Sequence, residues 1–95
     1  MNFISQTDMA IFGASNFAKD EVLFDNTQKD ERKFKLFRAM ILHFIDHETA
    51  KICVSNANGE PFILECEVIA VTDEHIILKS GLVIPIAAII SIELM

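Results

Sequence analysis

Several small groups of side chains in this sequence have the types and spacing that chemistry needs. His43 and His47 stand at i and i+4, so a helix would aim both imidazoles at one point, with Asp46 and Glu48 adding oxygens nearby. A zinc protease requires His-Glu-x-x-His, whereas His47-Glu48 runs on into Thr49-Ala50-Lys51. The group is therefore read as holding no metal, and no cofactor is expected. Arg32, Lys33, Lys35 and Arg38 form the one basic cluster. Such a cluster holds phosphates in some proteins and is simply the solvated stripe of an amphipathic helix in others. Glu65 and Glu67 share one face of a strand, as a catalytic acid/base pair would, but alternate with apolar neighbours as the wet side of a sheet does. The chain has no Gly-x-Ser-x-Gly turn, phosphate loop or Gly-rich dinucleotide turn, and Gly13, Gly59 and Gly81 are spaced as turns. An enzyme is not expected.

The bulk composition limits the rest. Ninety-five residues make one small domain, which buries only roughly 60–65% of its unfolded surface. Yet 52% of the residues are apolar, more than one small core hides, which points to oligomerisation. The aromatics are all Phe, eight in number, and lack the polar tip that suits wet binding surfaces. The formal charge is −6, with Lys51 and Lys79 the only Lys or Arg after residue 38. An acidic chain repels phosphate at long range, so nucleic-acid binding would need a localised site. Cys53 and Cys66 lack metal-type spacing and are expected as reduced core residues. The first basic residue is Lys19, no secretory pattern opens the chain, and no apolar run reaches the ~18 residues that span a bilayer. A cytoplasmic protein is the simplest expectation.

These groups need elements to position them. Residues 1–26 read as an arm that docks rather than folds alone, and residues 27–95 as the domain. Asp25-Asn26-Thr27 resembles a helix start, with Thr27 and Asp30 as a capping-box variant. The helix should run from about 29 to 46, with Phe34, Phe37, Ile41, Phe44 and Ile45 on one face. Arg32, Lys35 and His43 fall on the other face, with Arg38 beside them. Residues 36–45 are apolar enough to read as a strand too. Five strand-like pieces follow, over 51–55, 62–71, 75–79, 82–84 and 89–94. Asn58-Gly59 and Ser80-Gly81 mark turns, and Pro85 breaks the last two strands apart. The expected fold class is mainly β: an N-terminal helix, then a small, strongly bent five-stranded antiparallel barrel.

At this point the residues resemble the Sm and Sm-like family, which includes bacterial Hfq. Helix, then five strands with an Asn-Gly turn after the first, is that family's order. Asp73-Glu74-His75-Ile76-Ile77-Leu78 is similar to the end of its first motif, Asp-x-His-Met-Asn-Leu, and residues 82–92 to its apolar second motif. The resemblance covers about residues 30–95. It implies a ring of five to seven copies, self-associated through strands over 82–94, that binds single-stranded RNA through two loops.

Carried over position by position, His75 matches the residue on which a base stacks, and Asp73 the acid that orders its loop. The family's base-reading Asn falls on Ile77, its Arg-Gly on Pro85 and Ile86, and the bacterial Lys-His pair near Ala87 and Ala88. Hydrogen-bond readout and pore cations are thus missing. On such a ring the helices share one flat face, where Arg32, Lys33, Lys35 and Arg38 of every copy would form a basic crown. The function so implied is a non-enzymatic, single-stranded RNA-binding or RNA-chaperone-like module, with no membrane and no small-molecule substrate as partner. The alternative is a structural or protein-interaction oligomer that keeps the barrel without binding RNA.

Overall fold

A computed structural model of the chain describes residues 2–5 and 17–94. Part of the expected arm, residues 1 and 6–16, lies outside the described residues, as does Met95. Strand β1 is Asn2–Ser5 and helix α1 is Asn26–Asp46; β2 (Ala50–Ser55), β3 (Pro61–Cys66), β4 (Val68–Val71), β5 (His75–Leu78) and β6 (Val83–Pro85) follow. A 3-10 turn over Ile86–Ala88 then leads into β7, Ile89–Leu94. Among the described residues the chain is mainly β, with one α-helix ahead of six strands.

Local chemistry sets the boundaries. Asp25, rather than Thr27, caps α1: its extended backbone lets the carboxylate accept from the Thr27 and Gln28 amides at 2.7 and 3.4 Å. At the other end His47 turns left-handed (φ 56°), and its amide donates to the His43 carbonyl. Between β2 and β3, the Asn56 side-chain oxygen accepts from the Asn58 and Glu60 amides, both at 2.9 Å, and Gly59 takes φ 83°.

Hydrogen bonding divides the strands into two sheets, ordered β1-β3-β2-β7 and β4-β5-β6. β1 runs parallel to β3, and the other pairings are antiparallel. The ladders therefore do not close the expected five-stranded barrel among the described residues. The single second strand expected over 62–71 is two strands, parted at Glu67. There the chain bends from one sheet into the other, and the Glu67 carbonyl accepts from the Lys79 amide at 2.9 Å.

Alternation along these strands sends one set of side chains inward. Ile52, Val54, Leu64, Cys66, Val68, Ile76, Leu78, Ile84 and Ile89 join one cluster drawn from both sheets. Phe17 stacks on Phe62 at 6.2 Å between ring centroids. Burying each large side chain contributes about 1.5–3 kcal/mol.

The helix is the main correction to the sequence expectation. Its inward stripe is Arg32, Leu36 and Ala39, with His43 half-buried beyond them. Phe34 and Phe44 are 65% and 84% exposed, and Phe37, Ile41 and Ile45 are exposed with them. The faces are thus reversed. Leu36 and Ala39 meet the core, while the larger apolar stripe points outward.

Candidate functional site

The turn between β4 and β5 and the turn between β6 and β7 meet. Thr72 closes the first: its hydroxyl accepts from the His75 amide at 3.0 Å, and its own amide donates to the His75 carbonyl. His75 pairs with Pro85 across β5 and β6, and the Ile86 amide donates to the Glu74 carbonyl at 2.8 Å. The segment ahead of α1 is pinned to the same place by the Val22 amide, which donates to the Ala87 carbonyl. A cavity of about 400 Å³ opens between these turns and α1, bordered by Lys19, Arg32, Asp73, His75 and Pro85.

Three of the five predicted RNA-contact residues, Arg32, Asp73 and His75, therefore share one cavity. Lys35 lies outside that cavity and, together with Arg32, borders a neighbouring hollow beside Gln28 and Ile90. Arg38 lies elsewhere again, against Phe34, Phe37 and Ile41 on the outward face of α1.

Arg32 is also not a free cation. It is 6% exposed; Nη1 donates to Glu21 Oε2 at 2.7 Å, and Nη2 to Glu21 Oε1 at 2.6 Å. Nη1 also donates to the Ile89 carbonyl at 2.9 Å. Its Nε is buried with no acceptor, a cost of about 1–3 kcal/mol that the bidentate pair offsets. The hydrogen bond from Arg32 holds the Glu21 carboxyl below its ordinary range, against the opposing effect of burial. With Arg32 neutralised, Lys19 faces Asp73 and Glu74 at the cavity wall. That balance suits a neutral planar ring against His75 better than a phosphate.

A second cluster lies at the far end of α1. The helix end supplies His43 and His47, whose rings stand 5.4 Å apart at 82°. The bend after β3 supplies Glu67, whose Oε1 is 3.4 Å from His43 Nδ1 and whose Oε2 is 3.4 Å from Lys79 Nζ. Glu67 is 13% exposed there, so it is not the wet-face residue that its alternation predicted. Asp46 and Glu48, the oxygens expected beside the imidazoles, are replaced by one that is distant in sequence. No local pattern marks Glu67 or Glu21 as a partner, because each meets α1 only after the chain has folded back.

Neither thiol offers a nucleophile. Cys53 and Cys66 are both buried. Burial first, and the Glu65 and Glu67 carboxylates second, push the Cys66 thiol up to about 12. No helix among the described residues is long and apolar enough to cross a membrane. Comparison of the chain with models of protein families, curated proteins and solved structures finds no match.

Proposed function

We propose that this chain is a non-enzymatic protein-interaction module that self-associates through the outward face of α1. The observation that carries this is the spacing of Phe34, Phe37, Ile41 and Phe44, all exposed. Their intervals of three, four and three residues are those of a coiled-coil seam. A seam of that spacing is complementary to another helix with the same spacing, which a second copy provides. Two α1 helices packed antiparallel would set each stripe against itself in an isologous pair. Ile45, and Ile69 from β4, widen the same apolar surface, and large exposed apolar patches mark such contacts.

Sedimentation equilibrium of the full chain tests this. A multimer that Ile41→Glu converts to the 10.7 kDa monomer, with circular dichroism unchanged, is the expected result. A wild-type monomer throughout the micromolar range would overturn the proposal.

A second reading, an Sm-like RNA-binding ring, draws support from two features. β6 and β7 each lie at the edge of their sheet, and such unpaired edges invite pairing between copies. The two turns that the resemblance assigns to RNA also meet around His75 and Asp73. Sm-like closure of the two bent sheets into a barrel belongs to this reading. Against it stand the neutralised Arg32 and the acids at the cavity wall.

A further inference from the structure

We propose that His43, His47 and Glu67 form a binding site for a single zinc-type divalent cation, which clamps the end of α1 to the bend between β3 and β4. Nitrogen and carboxylate donors in this ratio suit zinc, which takes two histidines and a glutamate readily and leaves a fourth position for water. The ligand atoms of the three side chains all lie within 4.8 Å of one another.

The geometry between His43 and Glu67 distinguishes this from an ordinary polar contact. Nδ1 of His43 is buried and has no hydrogen-bond partner. Its 3.4 Å separation from Glu67 Oε1 is too long for a good N–H···O bond, which closes to roughly 2.7–3.2 Å. Two ligand atoms each about 2.1 Å from one tetrahedral ion stand roughly 3.4 Å apart. The pair is therefore already spaced as one edge of a zinc tetrahedron. A buried ring nitrogen without a donor or acceptor, aimed at a carboxylate, is what an ion would satisfy.

His47 completes the set from a constrained backbone. Its left-handed φ of 56° and the bond from its amide to the His43 carbonyl hold it directly above His43 at the helix end. Its exposed side chain is free to swing the remaining distance inward. Lys79, 61% exposed and 3.4 Å from Glu67 Oε2, is the cation now balancing the carboxylate. A flexible surface ammonium yields that place at little cost when a divalent ion arrives.

The site joins elements that are distant in the chain, so occupancy would couple the outward face of α1 to the sheets. His43 also borders the apolar hollow lined by Phe44, Ile45 and Ile69. The inference does not depend on self-association.

The test uses untagged full-length chain titrated with zinc chloride by calorimetry, and with cobalt chloride by visible absorption. One zinc per chain, a tetrahedral-type cobalt band and a rise in thermal midpoint with zinc are expected. His47→Asn keeps a residue that tolerates the left-handed backbone, and Glu67→Gln keeps the shape of the side chain. Each should weaken zinc binding by at least the roughly 10–100-fold that loss of an outer-sphere partner costs. His75→Ala should leave it unchanged. No saturable zinc binding by the wild type, or binding that survives His47→Asn and Glu67→Gln, would overturn the proposal. Loss of binding in His75→Ala would do the same.

Discussion

Arg32 and Glu21 form a two-pronged ion pair, at 2.6 and 2.7 Å, beneath the inward face of α1. The pair fixes which side of the helix faces the core. A guanidinium is tolerated there because a carboxylate and the Ile89 carbonyl take up its donors. It also neutralises one of the two cations that border this cavity, the other being Lys19.

The pair makes stability depend on pH in a defined direction. Glu21 titrates lower in the folded chain than its ordinary 4.5. A depressed carboxyl stabilises the fold above its unfolded pKa, and that stabilisation is lost as pH falls through the folded value. Glu21→Gln should cost about 1–2 kcal/mol at neutral pH, a modest figure because the carboxylate is partly exposed. The gap between wild type and variant should close below pH 4.5. Urea midpoints at neutral and acidic pH measure it; a gap that stays constant would rule the pair out as its source.

The reversed faces of α1 predict opposite responses to truncation. Leu36 is fully buried, so Leu36→Ala should destabilise by about 2–5 kcal/mol. Phe34→Ala, at an exposed position, should stay within about 0.5 kcal/mol in dilute monomeric protein. Equal losses in guanidinium unfolding would mean that the helix packs by its Phe stripe after all.

Thiol chemistry offers a third check. Cys66 is fully buried with a pKa near 12, so little thiolate forms at pH 8 and reagent has no access. In a Cys53→Ala background, a disulfide reagent should label Cys66 only after unfolding. Rapid labelling of the folded chain would contradict the burial described here.

RNA affinity separates the two functional readings. Fluorescence anisotropy with oligo-U at low salt is expected to detect no tight complex, because the cavity carries Asp73 and Glu74 and a neutralised Arg32. Micromolar binding that weakens with salt and loses about 1–3 kcal/mol in His75→Ala would favour the ring instead.

From α1 onward, and apart from the divided second strand, the sequence by itself determined the order of elements, because that information is local. Alternating apolar residues placed β2, β5 and β7 within a residue or two of where they form, and Gly59 and Gly81 marked turns through φ values that other residues resist. It also brought Asp73 and His75 to notice as neighbours in one turn. Only the tertiary structure decided which face of α1 is inside. Helical periodicity finds an apolar stripe but not what covers it, and Glu21, which holds Arg32 inward, and Glu67, which stands beside His43, both meet the helix through folding. The split of the long second strand at Glu67 was decided the same way. Its alternation is nearly unbroken, and the bend arises where one strand must serve two sheets at once.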